Sequence, residues 1–246
     1  MKRMIPLLVC LVLAARAQTA KYTEIPGLPA PPSHAVTAVK EKFTIDGNLS
    51  EKAWASAKAI TLMFPWDDQT GAKQRTTVKL LRDQTYLYVG YECDDADLTA
   101  IYEKRDDPVY KDDCVEIFLR PNEQSDHYIG LEMNARGVLY DYFFPFPSRL
   151  GRELDLDGVL LKTTLRGTLN QSGDKDQGWT LELAIPWSSL SKLTNGQAPA
   201  AGTSWRAQIN RWDGTEPNRR MSNWGHPGLK RPNPHNPERF GSLQFN

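Results

Sequence analysis

Short segments in which apolar and polar residues alternate dominate the chain from Phe43 onward. Such alternation is typical of strands that bury one face, and the turn residues between neighbouring segments predict hairpins. Three hairpins are expected, together with three further strands. The predicted strands are 76–81 with 86–93, 128–134 with 138–144, 158–169 with 178–185, and then 114–119, 205–212 and 239–245.

Helical pattern is confined to two short places. Residues 50–59 could form one short helix with Ser50 as its N-cap, and residues 187–190 could form a single turn after a strand. About ten short strands with so little helix predict an all-β fold. The expected architecture is an antiparallel β-sandwich of two packed sheets, jelly-roll or immunoglobulin-like, with one or two short helices.

The N-terminal segment differs from the rest of the chain. Residues 1–17 combine a positive start, an apolar run and a small-x-small ending, which predicts a secretory signal peptide; the run is too short to span a bilayer. Residues 18–40 are rich in Pro and Ala and predict a loosely packed leader before a domain at 41–246. We expect a secreted or periplasmic protein without a transmembrane segment.

Charge and cysteine content narrow the possible partners. Without the basic residues of the signal peptide, the 246-residue chain keeps 27 basic against 30 acidic residues, and no basic stripe predicts nucleic-acid binding. Cys93 and Cys114 remain outside the signal peptide. Export permits a disulfide between them, but two buried thiols on neighbouring strands is the favoured interpretation. No pattern indicates an oligomeric state.

Acidic residues are the first candidates for chemistry, since no familiar catalytic motif and no metal-binding histidine spacing occurs. Asp94, Asp95 and Asp97 follow a strand end, where clustered oxygen ligands suit calcium; solvated turn residues are the alternative. Glu116 and Glu132 lie inside predicted strands. A carboxylate on a sheet face needs a charged partner or a groove that admits a polar ligand, because burial without a partner is costly.

Five segments together suggest a family. They are IDGNLSEKAW (45–54), LYVGYECDDADL (87–98), YKDDCVEIFLRP (110–121), GWTLELAIPWSSL (178–190) and HNPERFGSLQF (235–245). In order and spacing they resemble family 9 carbohydrate-binding modules over about residues 35–246. The resemblance implies a β-sandwich that binds sugar, often between two aromatic rings, with structural calcium.

The resemblance also carries residue roles. Tyr110 stands where family members that are attached to xylanases have a stacking Trp, and Glu116 matches their ligand-contacting acid. The second Trp of the clamp is replaced here by Pro234 and His235, and the sugar-binding Arg by Ile129.

A sugar site needs exposed rings with converging polar groups. Trp224 lies in a loop rich in Asn, Gly and Pro, where binding residues are common, whereas Trp54 belongs to a scaffold motif and is expected in the core. The candidate ligand contacts are Tyr110, Glu116, Glu132, Asn134, Asn210, Arg211, Trp212, Trp224 and His235.

The favoured function is a secreted, non-catalytic protein that binds a plant or microbial poly- or oligosaccharide in carbohydrate catabolism. One alternative is a glycoside hydrolase with Glu116 and Glu132 as its two carboxyl groups. Another is a b-type haem sandwich with Met133 and His127 as ligands. A structural or protein-interaction role is the remaining hypothesis.

Overall fold

The computed structural model describes residues 23–145 and 152–246, without the side chains of Arg152 and Glu153. The predicted signal peptide and the first residues of the predicted leader lie outside these ranges. The described strands are β1 (Ser33–Ala38), β2 (Ile60–Thr61), β3 (Thr76–Arg82), β4 (Tyr86–Asp94), β5 (Cys114–Arg120), β6 (Tyr128–Asn134), β7 (Leu139–Phe144), β8 (Arg152–Glu153), β9 (Leu160–Arg166), β10 (Gly178–Pro186), β11 (Ser204–Asp213), β12 (Arg220–Asn223) and β13 (Gly241–Phe245).

Helical structure is as sparse as expected. The described residues contain one α-helix, α1 (Lys52–Ser56), and 3₁₀ turns at Val109–Lys111, Trp187–Leu190 and Pro237–Arg239. The turn at Trp187–Leu190 confirms that prediction. The helix is shorter than the predicted 50–59 and begins after Glu51, not Ser50, with no side-chain cap. No helix among the described residues is long and apolar enough to cross a membrane.

The strands form one curled, mixed sheet in the order β8-β7-β6-β5-β11-β13-β1-β3-β4-β10-β9, with β12 beside β11 and β2 beside β3. All three predicted hairpins are present. The all-β class is confirmed, but the expectation of two separate antiparallel sheets is wrong. β1 pairs in parallel with β13 through one end and with β3 through the other, and so joins the two halves.

β1 also corrects the expected leader. Residues 33–38 lie in the middle of the sheet, where His34 and Val36 are buried and their neighbours are exposed. The prolines that dominate the composition of residues 18–40 obscure this alternation in the sequence.

One hydrophobic core lies between the two halves. Val115, Ile117 and Leu119 of β5 belong to the same buried cluster as Val89 and Tyr91 of β4. The Tyr91 hydroxyl donates a hydrogen bond of 3.0 Å to the carbonyl of Glu116, so the halves are also joined by polar contacts. The alternation of β5 directs its odd residues into this core and its even residues to the opposite face.

The opening motif of the domain is a structural anchor. Trp54 is fully buried, as predicted, and its indole N–H donates to Glu182 Oε1 at 3.1 Å. The other oxygen of Glu182 accepts the backbone N–H groups of Asp46 and Gly47. A Cβ on Gly47 would lie 2.8 Å from the backbone of Thr163, and φ is +87° there, so the turn requires glycine.

Candidate functional site

A row of polar side chains crosses five strands on the sheet face opposite the core. Strand register places Tyr140, Glu132, Glu116, Asn210 and Asn223 side by side on β7, β6, β5, β11 and β12. Residues directly opposite one another on antiparallel strands have Cβ atoms about 4.5–5.5 Å apart. The two in-strand glutamates are therefore direct neighbours.

Loops build a cavity of about 400 Å³ above this row. The 3₁₀ turn at Val109–Lys111 contributes Tyr110, and the chain after β11 contributes Arg219. The cavity is lined by Tyr110, Glu116, Glu132, Tyr140, Tyr142, Phe144, Trp212, Arg219, Pro232, Asn233, Pro234 and His235. The structure thus gathers Tyr110, Glu116, Glu132, Trp212 and His235 of the predicted ligand contacts.

Both glutamates are buried at the floor of the cavity, with exposed fractions of 1% for Glu116 and 4% for Glu132. Glu116 Oε2 accepts a hydrogen bond of 3.1 Å from Asn210, whose own carbonyl oxygen accepts from Asn223. Glu132 Oε1 accepts a hydrogen bond of 2.9 Å from the Tyr142 hydroxyl. Glu132 Oε2 has no partner among the described residues, which makes it an open hydrogen-bonding position.

Burial and proximity shift the ionisation of this pair. Burial raises the pKa of Glu116 to about 7, against the opposing effects of the Asn210 hydrogen bond and the Arg219 charge. Burial and then repulsion by Glu116 hold the pKa of Glu132 well above its usual range, and the Tyr142 hydrogen bond opposes this only in part. Of the two carboxyl groups, Glu132 is therefore the one that holds a proton more strongly.

Aromatic rings form the sides of the cavity. Tyr110 is 39% exposed, and its ring centroid lies 6.3 Å from that of Tyr140. The guanidinium of Arg219 lies 4.1 Å from the ring centroid of Trp212, a cation–π distance, and donates to the backbone carbonyl of Tyr110. Arg219 thus joins the Trp212 ring to the backbone of the turn that carries Tyr110.

His235 is a packed wall residue. Its ring lies nearly parallel to those of Phe118 and Phe144, with centroids 5.1 and 5.0 Å away. Nδ1 is 2.6 Å from the Tyr128 hydroxyl. Burial lowers the pKa of His235 to about 4, so the imidazole is neutral and can accept a hydrogen bond from the hydroxyl.

Four expected ligand contacts, Asn134, Asn210, Arg211 and Trp224, do not line the cavity. Asn210 donates its hydrogen bond to Glu116. Trp224 is only 8% exposed and belongs to the main core, so the prediction from its loop sequence is wrong. Asn134 donates to the Tyr102 carbonyl and to Asp112, and so holds loops together. Arg211 is fully buried between acidic side chains. The side chains of these residues are therefore engaged in contacts within the fold and do not face a ligand in the cavity.

The three acids proposed for calcium do not converge. Asp94 pairs at the surface with Arg75 at 3.2 Å, Asp97 is exposed, and Asp95 is buried against Arg211 at 2.8 Å. Among the described residues, two acidic groups have carboxylate oxygens within 4.8 Å of one another. They are Asp95, Asp113 and Asp213, and Asp106, Asp141 and Asp155.

The buried group does not fit a calcium ion, which requires six to eight free oxygen ligands. Arg211 donates to both Asp95 and Asp213 at 2.8 Å, and Arg220 takes the other oxygen of Asp213. Asp113 accepts the backbone N–H groups of Thr99 and Gly214, one on each oxygen. Arg105 similarly binds Asp141 and Asp155 in the second group. In both acidic groups, an arginine side chain supplies the positive charge that faces the carboxylates.

The disulfide that export would permit is absent, because Cys93 and Cys114 are both free and buried. The favoured interpretation of two buried thiols is confirmed, but the strands are not neighbours: Cys93 is on β4 and Cys114 on β5, which lie in different halves of the sheet.

The proposed haem ligands are not available. Met133 is fully buried in the main core. His127 lies at the exposed start of β6, with its ring 5.7 Å from that of Phe143. β6 directs Met133 and the cavity residue Glu132 to opposite faces. This pair therefore does not support haem binding.

Several cavity residues were missed by the sequence prediction. Tyr140, Tyr142 and Phe144 alternate along β7, so the period of two in the segment VLYDYFF already places them on one face. Arg219 and Asn233 lie in loops, where no periodicity exists. Their position at the opening depends on the path of the loops in three dimensions.

Comparison with known proteins gives the family. The family model described as "Carbohydrate family 9 binding domain-like" matches residues 45–246. The chain belongs to this family of carbohydrate-binding domains. The comparison with curated proteins gives no match.

Solved structures show the same fold at low identity. A candidate carbohydrate-binding protein from Bacteroides uniformis ATCC 8492 is 20% identical with a TM-score of 0.72, over 88% of this chain and 100% of that one. A family 9 carbohydrate-binding module from Caldicellulosiruptor kristjanssonii in complex with cellotriose is 19% identical with a TM-score of 0.60, over 87% and 93%. Its complex with glucose gives 19% and 0.59, over 86% and 95%.

Proposed function

We propose that this protein binds a poly- or oligosaccharide without catalysis, in the cavity above Glu116 and Glu132. The observation that carries the proposal is the combination of a polar floor with an exposed ring at its edge. Glu116 and Glu132 lie at the floor, and Tyr110 stands 39% exposed at the side. A cavity of about 400 Å³ can hold one or two sugar units.

The chemistry of a pyranose matches these walls. Its C–H faces pack against an aromatic ring, and its hydroxyls exchange hydrogen bonds with carboxyl and amide groups. Tyr110 offers the ring. Glu132 Oε2 offers an open position for a hydroxyl, and Glu116 and Arg219 lie beside it.

The site differs from a clamp of two parallel tryptophans. His235 occupies the position where the family resemblance places the second ring, and its imidazole is packed against Phe118 and Phe144. Trp212 has Arg219 over its ring. We therefore propose that sugar stacks on Tyr110, and that the floor supplies a larger share of the binding than in a two-ring clamp.

The cellular location of the protein is proposed from its sequence. The signal-peptide pattern of residues 1–17 supports export to the periplasm or the exterior, where a saccharide binder serves the capture or breakdown of a plant or microbial polysaccharide. The two halves of the sheet share one core, which supports a sandwich as its scaffold.

Retention on a panel of polysaccharides, with titration of soluble oligosaccharides including cellotriose, tests this function. Tyr110→Ala should weaken retention strongly, because it removes the exposed ring. Phe64→Ala is the matched control, since Phe64 is a half-buried ring that does not line the cavity. Equal loss in both variants, or no retention of the wild type on any saccharide, would contradict the proposal.

Glycoside hydrolysis is the second candidate, because two neighbouring carboxyl groups with a raised pKa resemble an acid and nucleophile pair. Here, however, both groups belong to one row of the sheet and are buried beneath one side of the cavity. Hydrolysis needs them on either side of the bond that breaks. Release of reducing sugar by the wild type, lost in Glu116→Gln, would establish it.

A further inference from the structure

We propose that Glu132 is a specificity-determining residue: as a neutral carboxylic acid, it donates a hydrogen bond to the saccharide and selects an uncharged sugar over a uronate. This inference deepens the proposed function and rests on it. Glu132 matches none of the family positions to which the sequence assigns a sugar contact.

The orientation of the Glu132 carboxyl group is fixed. Oε1 accepts from the Tyr142 hydroxyl at 2.9 Å, and Oε2 is the buried oxygen that has no hydrogen-bond partner among the described residues. Gly130 makes this contact possible, since a Cβ there would lie 2.3 Å from Cζ of Tyr142. The glycine thus lets the Tyr142 ring cross β6 and reach Glu132.

The open oxygen needs a partner. A buried polar atom without a hydrogen bond is costly, and such atoms in native proteins usually mark a ligand or water position. Glu132 is 4% exposed and lines the cavity, so a saccharide hydroxyl in the cavity can complete its hydrogen bonding. Since Oε1 already accepts a hydrogen bond from Tyr142, a protonated Glu132 presents Oε2–H as a donor.

The surrounding charges favour this neutral form. Glu116 on β5 faces Glu132 directly and repels its charge, whereas Arg219 attracts it. A carboxylate on the sugar would meet repulsion from Glu116 in its charged form, and a charged Glu132 would add to that repulsion. The titratable and charged groups around Glu132 are Cys114, Glu116, Tyr128, Tyr140, Tyr142, Arg219 and His235.

Glutamine reproduces the proposed state. Its carbonyl oxygen can accept from Tyr142 while its N–H₂ donates into the cavity, and it cannot ionise. Leucine of similar size removes both roles. Glu132→Leu should weaken binding of cellotriose on the order of tenfold, and Glu132→Gln should restore most of that loss.

The decisive measurement is the dissociation constant of cellotriose for the wild type and both variants between about pH 5 and about pH 9. We expect wild-type affinity to fall at the alkaline end as Glu132 ionises, and Glu132→Gln to keep only the smaller dependence that comes from Glu116, whose pKa is about 7. Cellotriose whose terminal hydroxymethyl is oxidised to a carboxylate should bind the wild type more weakly than cellotriose. Identical pH profiles for wild type and Glu132→Gln, or equal affinity for both sugars, would overturn the inference.

A readout without sugar separates this inference from the proposed function. The infrared spectrum of the wild type at neutral pH should contain a protonated-carboxyl stretch that Glu132→Gln removes. If that band is present and no protein binds cellotriose, the saccharide proposal fails for this probe and the ionisation of Glu132 stands. If Glu132→Gln leaves the band unchanged, the inference about Glu132 is wrong whatever the sugar result.

Discussion

Glu116 and Glu132 lie directly opposite each other on β5 and β6, and both side chains are buried at the floor of one cavity. Two carboxyl groups so placed cannot both be charged at low cost, because each is removed from water and repels the other. The two carboxyl groups have different hydrogen-bond partners, because Asn210 donates to Glu116 and Tyr142 donates to Glu132. The pair gives a saccharide both an acceptor and a donor.

The pair predicts that stability falls as the pH rises. The pKa of Glu116 is about 7 in the folded protein, above its usual 4.5, so protons bind more tightly to the folded state. This contribution is complete below about pH 4.5 and is lost as the pH rises through about 7. Denaturant unfolding of wild type and Glu116→Gln across this range measures it. A wild-type free energy of unfolding that falls no more steeply than that of Glu116→Gln would contradict the account.

His235 predicts the opposite dependence in acid. Its pKa is lowered from 6.5 to about 4 in the folded protein, so the neutral imidazole stabilises the fold above about pH 6.5 and this stability is lost as the pH falls towards 4. His235→Phe should flatten the acid limb of the unfolding free energy. A limb that is as steep in His235→Phe as in wild type would show that other groups cause it.

Substitution of Trp224 should mainly reduce stability, whereas substitution of Tyr110 should mainly reduce saccharide binding. Trp224→Ala opens a cavity in the core and should cost about 3–5 kcal/mol of unfolding free energy. Tyr110→Ala removes a ring that is 39% exposed and should cost much less. Unfolding curves of both variants, read beside their saccharide retention, check this. A stable Trp224→Ala protein that no longer binds sugar would place Trp224 in the site.

Arg211 should supply the positive charge that stabilises the buried group of acidic residues around Asp95 and Asp213. Removal of one partner from a buried ion pair costs about 3–5 kcal/mol, so Arg211→Met should be strongly destabilised. The melting temperature of the wild type should not change when EDTA or excess calcium is added. A melting temperature that falls in EDTA and recovers with calcium would show that a metal stabilises the chain after all.

The sequence predicted the elements better than their assembly. Alternation along the chain located the three hairpins, because the period of two is a local property of strands that bury one face. The parallel pairs of β1 were missed, since they depend on residues 33–38 meeting β13 near the other end of the chain. No local pattern specifies a partner about two hundred residues away.

The candidate site likewise combines residues that could be predicted from the sequence with contacts that could not. Tyr110, Glu116 and Glu132 could be selected from the sequence as unusual side chains. Strand register brings the two glutamates together, and the 3₁₀ turn brings Tyr110 to the same cavity. Trp224 and Asn134 looked equally available, but their partners are distant in sequence: Trp224 packs near His34, and Asn134 binds Tyr102 and Asp112. Whether a polar or aromatic side chain is free for a ligand depends on these contacts.

The indole N–H resonances of the tryptophans offer the most direct test of the central claim, that the cavity above Glu116 and Glu132 binds saccharide. Trp212 lines the cavity, whereas Trp54 and Trp224 are buried elsewhere. In a two-dimensional ¹H–¹⁵N spectrum with Trp212→Phe as the assignment control, cellotriose or another retained oligosaccharide should shift the Trp212 signal saturably and leave Trp54 and Trp224 in place. Saturable shifts that avoid Trp212, or no shift with any saccharide, would contradict the account.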